Sequence, residues 1–185
     1  MAMSNTEFGD PRRIQRLSKW LASACLALIV VLPIAVMIYW AVADPTELAA
    51  RGNLATGAIQ TPLFAWQRIA GAAVTEIPLA LLMVGLCQAR ECFKLFAAGH
   101  VFTADAVRCL RQFAGWVMVS VAAGIVAGAV ISVVLTVHNP ANMRHLAVGI
   151  GSDQIFTLFF AGMVWLMAAV IAQGQTLAEE NATFI

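Results

Sequence analysis

Four stretches of the chain hold apolar residues almost without interruption. Trp20 to Ala43 runs 24 residues with no charge, Ile69 to Cys87 runs 19 with the single charge of Glu76, Phe113 to Val137 runs 25 with none, and Ile155 to Ala172 runs 18 with none. Polar residues do not recur in them at the helical period, so none has the wet face of a surface helix in a water-soluble protein. A helix needs about 20 predominantly apolar residues to cross a hydrocarbon core of about 30 Å. The pattern therefore predicts an all-α fold: one integral membrane domain over residues 1–185, a four-helix bundle with short amphipathic cytoplasmic segments.

Composition agrees, because 61% of the 185 residues are apolar and 11% are charged. That excludes a disordered chain, a secreted disulfide scaffold, and a nucleic-acid binder that works through a basic field. The formal net charge of +1 says little, but its distribution says more. Arg12, Arg13, Arg16 and Lys19 precede the first span, and Arg90, Lys94, Arg108 and Arg111 lie between the second and third, whereas Arg51, Arg68 and Arg144 are the only basic residues of the other two loops. Basic residues favour the cytoplasmic side, so both termini and the middle segment are predicted to be cytoplasmic. Trp20 and Trp116 then fall at inner ends and Tyr39, Trp40 and Trp66 at outer ends, the headgroup level that amphipathic rings favour. Cys25, Cys87, Cys92 and Cys109 all fall toward the inner side, where no disulfide framework is expected. Ala41-Val42-Ala43 before Asp44 resembles a signal-peptide cleavage site, but a signal's apolar region has only about 7 to 15 residues, so the first span is expected to be retained.

The middle segment, Gln88 to Gln112, reads as two helical pieces around Gly99, a residue suited to the left-handed C-terminal cap of a helix. Thr103 is placed to cap the next helix, Asp105 to complement its dipole, and Phe102 to staple against Val107. Gly174, Leu177 and Glu180 repeat the spacing of Gly99, Phe102 and Asp105 after the fourth span, which suggests two related hairpins and a second glycine break. Of the outer loops, Asp44-Pro45-Thr46-Glu47 predicts a short helix ending near Gly52, and Gly57 and Pro62 interrupt the rest of that loop. The second loop, with Asn139-Pro140 and Gly149-Ile150-Gly151, favours turns.

Few residues carry chemistry. Glu76 is the candidate ion or proton site, since an acid inside a span costs about 2.5 to 3.5 kcal/mol on insertion scales and usually faces a polar interior. Pro78 frees the carbonyl of Val74, so Thr75, Glu76 and that carbonyl can form a polar notch. The plainer reading has Glu76 bonded to a neighbouring helix or reaching Arg68. Ser120, Gly124, Gly128, Ser132 and Thr136 recur at every fourth position and let another backbone approach, either within the bundle or in a homo-oligomer through span three. Pro33 should kink the first span. Cys87 and Cys92 point about 140° apart on a helix and form no Cys-x-x-Cys pair, so no metal is expected. No nucleophile elbow, phosphate loop or intramembrane dyad occurs, so neither catalytic residues nor a cofactor is expected and the chain reads as no enzyme.

The run from Phe96 to Arg111, with Gly99, Phe102, Thr103, Asp105, Val107, Arg108, Leu110 and Arg111, resembles the signature of a bacterial inner-membrane family of unknown function, DUF2975. Gly174, Leu177, Glu179, Glu180, Asn181 and Thr183 look like that family's second, C-terminal signature. Ala106 stands where the family usually has asparagine and Cys109 where it has a second arginine, and the tail ends in Thr-Phe-Ile where a shorter aliphatic ending is common. The resemblance implies a multi-pass protein of the bacterial inner membrane. Some members are similar to proteins encoded beside small helix-turn-helix regulators, which implies a membrane-linked regulatory role with no nucleic acid bound directly. The leading expectation is an interaction or regulatory protein whose cytoplasmic face closes on itself, Arg108 or Arg111 meeting Glu179 or Glu180, or receives a protein partner. The alternative is a small transporter or channel subunit using Glu76.

Overall fold

The computed structural model describes residues 11–182 apart from 56, 60, 61, 101, 102 and 145, and the side chains of 11, 12, 14, 141 and 175–182 are likewise outside the description. Phe102 and Thr183 of the expected signatures therefore lie outside the described residues, as do the side chains of Leu177, Glu179, Glu180 and Asn181.

Five α-helices succeed one another: α1 (Pro11–Val42), α2 (Pro45–Arg51), α3 (Ala65–Ala97), α4 (Ala104–Thr136) and α5 (Ser152–Ala182), with a single 3-10 turn at Ala141–Met143. α1, α3, α4 and α5 are long and apolar enough to cross a membrane, and each takes in one of the four apolar stretches, α1 and α4 all but its last residue. α3 and α4 form the central pair; α1 packs along α3, and α5 along α4. Residues 43–64 and 137–151 gather at one end of the bundle, here the loop end. The α3–α4 turn occupies the other, the turn end.

Buried residues concentrate at the loop end. Trp40, Ala43, Leu48, Ala72, Ile131 and Leu135 form the core, with Tyr39, Leu54, Ile59 and Leu63 packed against it. α2 begins at Pro45 behind Asp44 and carries Leu48, which is fully buried, into this core. Along the middle of the bundle the large apolar side chains of α1 and α5 instead point outward, among them Val30, Val31, Ile34, Phe156, Phe159 and Leu166. An apolar surface of this extent on a monomer requires an apolar solvent, which a bilayer supplies.

Trp40 departs from the headgroup position its place in the sequence suggests. It is 1% exposed, and its indole N–H donates to Thr75 Oγ1 at 3.1 Å. Gly71 makes room for it, since a Cβ on that residue would overlap the indole ring. Trp20, at 76% exposure, does keep the outward position expected of an interfacial ring. Trp40 and Ala43, both on the N-terminal side of the apparent cleavage point, are thus part of the core.

Arg68 is also used differently from the sequence reading. Its guanidinium donates to the carbonyls of Trp40 (3.0 Å), Ala41 (3.3 Å) and Ala43 (3.0 Å), closing the C-terminal end of α1 instead of meeting Glu76. A helix end leaves its last carbonyls without internal donors, and a cation there complements the dipole.

Candidate functional site

At the turn end the local chemistry agrees with the sequence. Gly99 adopts φ +89, and His100 N–H donates to Leu95 O at 2.9 Å across the end of α3. A side chain is disfavoured in that left-handed conformation, so glycine is the fitting residue. Thr103 caps α4, its hydroxyl accepting the Ala106 N–H at 3.3 Å. Below the turn the two helices approach through small residues: Ala89, Cys92, Ala106 and Ala114 are buried, and Cys92 Sγ lies 3.7 Å from Ala106 O. The end of α3 and the start of α4 are therefore packed side by side.

Both helices are also longer than a membrane needs. With 33 residues each, α3 and α4 extend about 50 Å against a hydrocarbon core of about 30 Å. The excess at the turn end carries the charged residues. Lys94 pairs with Glu91 at 2.6 Å, and Arg108 approaches Asp105 at 3.9 Å, both pairs exposed. Arg111 lies over the ring of Trp165 on α5, 4.8 Å from its centroid, and so ties α4 to α5 by a cation–π contact. Val107 is buried and Leu110 half-buried, so those motif positions serve packing, while His100, Asp105 and Arg108 are exposed.

The second glycine differs from the first. α5 runs through Gly174 without a break, whereas Gly99 ends a helix, so the expected pair of glycine-broken segments reduces to one. The reason lies in context: no turn of the chain comes directly after Gly174, and a glycine inside a helix is tolerated at a cost of about 1 kcal/mol.

The stripe of small residues on α4 is spent inside the chain. Ser120 donates to Pro78 O on α3 at 2.7 Å, Ser132 Oγ donates to Ala129 O and accepts the Ala147 N–H at 3.0 Å, and Thr136 donates to Ser132 O. Gly52 lies so close that a Cβ on it would sit 3.2 Å from the Ser132 backbone, and Gly128 faces the Asn53 side chain. Ser120, Gly128, Ser132 and Thr136 are buried and Gly124 is half-buried. The close approach predicted for this face is made by the loop-end segments and by α3.

Glu76 and its neighbours are separated. Thr75 is committed to Trp40 and Gly71, and Thr75 and Pro78 line a cleft between α2, α3, α4 and α5 in which Glu76 has no part. Glu76 is half-buried, and its Oε1 is buried without a hydrogen-bond partner among the described residues.

Three polar residues that matter gave no signal in the sequence. Gln67, 0% exposed, donates to Val134 O at 2.9 Å and accepts the Phe64 N–H at 2.9 Å, joining the start of α3 to the end of α4. Asn139, also buried, donates to Ala58 O at 2.6 Å and Met143 O at 3.1 Å, which fastens the two loop-end segments together. His138 packs its ring against Phe64 and Trp66 rather than standing alone in solvent.

A family model described as "Protein of unknown function (DUF2975)" matches residues 52–185, which takes in α3, α4 and α5. No curated protein and no solved structure matches the chain.

Proposed function

The chain belongs to the DUF2975 family of proteins of unknown function, and on that premise we propose that it is an interaction or regulatory protein of the bacterial inner membrane, with its termini and the α3–α4 turn in the cytoplasm. The observation that carries this reading is the charged turn end: α3 and α4, about 50 Å long like α1 and α5 beside them, exceed a core of about 30 Å, and His100, Asp105 and Arg108 are exposed at that end. An exposed, charged end is what a protein partner can engage, whereas the middle of the long helices mostly presents apolar side chains to lipid. The bias of basic residues toward this end supports the cytoplasmic assignment. A photo-crosslinking residue placed at His100 in the native membrane is expected to trap a discrete protein partner, and Arg108→Glu to weaken that adduct. If His100 traps nothing beyond what the same residue traps at lipid-facing Val30, the reading is wrong.

A second reading, a small transporter or channel subunit, has one observation in its favour, the buried and unpartnered Oε1 of Glu76. Acids within spans commonly mark ion paths or proton relays. Proton- or cation-driven flux in proteoliposomes is then expected to fall in Glu76→Gln. Flux that is absent from the wild-type protein, or equal in the two, removes this role.

A further inference from the structure

Beneath the loop-end core the cleft between α2, α3, α4 and α5 has a volume of about 400 Å³. Its lining changes with depth. Arg51, Asn53, Asp153 and Gln154 line it toward the loop end, with the Arg51 guanidinium turned over the Tyr39 ring, and Pro78, Val121 and Gly124 line it farther down α3 and α4. The loop end reaches well down α4, because the Asn53 side chain lies between Gly128 and Gly149, and Gly128 is eight residues, about 12 Å, below Thr136. Val121 lies fifteen residues, about 22 Å, below the same end, within the apolar stretch of α4. The cleft thus runs from polar surroundings into the hydrocarbon layer.

Side chains at the mouth have polar groups left over. Among the described residues, Asp153 has no ion pair, and neither its carboxylate nor the Asn53 amide has a hydrogen bond. Gln154 accepts the Gly151 N–H through Oε1, which leaves its amide N–H₂ for another acceptor. Asn53 adopts φ +53, a conformation in which asparagine is enriched, and its side chain sits between Gly128 and Gly149. Deeper in, Gly124 leaves open space: a Cβ there would come no nearer than 4.0 Å to Pro78.

A mouth that offers one free carboxylate and two amides, opening inward onto Pro78, Val121 and Gly124 at the depth of the apolar stretch of α4, is complementary to a lipid. We propose that this cleft is a binding site for a phospholipid whose head group carries a primary ammonium. Asp153 takes the ammonium, the amides of Asn53 and Gln154 donate to the phosphate, and one acyl chain lies along Pro78, Val121 and Gly124. A phospholipid with a hydroxylated, amine-free head group lacks the partner for Asp153 and brings a net negative charge to it.

The test uses the full chain in vesicles of phosphatidylethanolamine and phosphatidylglycerol, with a diazirine in the acyl chain of one or the other lipid, and locates the adducts by peptide mass. The ethanolamine probe is expected to label the stretch 121–131 about fivefold more than the glycerol probe, the ratio that one modest charge-assisted bond supplies. Asp153→Asn, an isosteric change at an exposed position, is expected to bring that ratio to about 1, and Gly124→Leu to abolish labelling of the stretch by either probe. Labelling of exposed Val30 and Val31 on α1, unchanged in both variants, shows that the protein is folded. Equal labelling by the two probes, a preference that survives Asp153→Asn, or labelling that survives Gly124→Leu overturns the proposal.

Discussion

Trp40→Ala is expected to destabilise the protein by about 3 to 5 kcal/mol, the range for truncating a large aromatic side chain in a packed core. Three losses coincide. The indole is 1% exposed at the centre of the loop-end core, it fills the space that Gly71 leaves, and its N–H satisfies Thr75. Gly71→Ala should produce a comparable defect from the opposite side, since the added Cβ overlaps the ring and the helix backbone beneath it cannot yield far. Gly162→Ala is the internal control. Nothing lies within 4 Å of a Cβ there, so it should be neutral or stabilising by up to about 1 kcal/mol, as alanine is the better helix former. In detergent, the temperature at which a maleimide begins to modify the buried Cys25 and Cys92 reports these differences. Equal onset temperatures for Gly71→Ala and Gly162→Ala would refute the packing described for Trp40.

Gln67→Leu is expected to cost about 2 to 5 kcal/mol, although the replacement is apolar, similar in size, and placed in a chain that is mostly apolar. The cost comes from the groups left behind. Val134 O loses its donor and the Phe64 N–H loses its acceptor, both part-buried beside the fully buried Gln67 side chain, and each stranded group costs about 1 to 3 kcal/mol to the extent that water does not reach it. The same onset measurement applies, with Gln88→Leu as a comparison at a half-buried glutamine on the same helix. A Gln67→Leu protein as stable as the wild type would mean that water or a rearranged side chain satisfies both groups.

These two residues show where sequence reading succeeded and where it stopped. The long elements were legible because lipid imposes one simple requirement, an uninterrupted apolar run, and because Gly99 and Thr103 act on neighbours within a few residues. The short helix after Asp44 was legible for the same local reason. The loop-end core was not. Trp40 reads as an interfacial ring and Gln67 as a polar residue at the edge of a span, because a single sequence does not tell a polar residue facing water from one facing a carbonyl 67 residues away. The site was legible in part. Pro78 and the glycines of α4 stood out, but the groups that complete the cleft come from loops whose paths only tertiary structure fixes. Glu76 was found by its rarity, and its isolation from Arg68 and Thr75 was not foreseeable, since both are close to it in sequence and are claimed by α1.

The guanidinium of Arg68 closes the end of α1 from a position 25 residues past Ala43. This sets an order on biosynthesis. A nascent chain that has released α1 but not yet the start of α3 has no donor for the carbonyls of Trp40, Ala41 and Ala43 other than water or the insertion machinery. The end of the first span therefore gains its protein donor only when the start of the second is released.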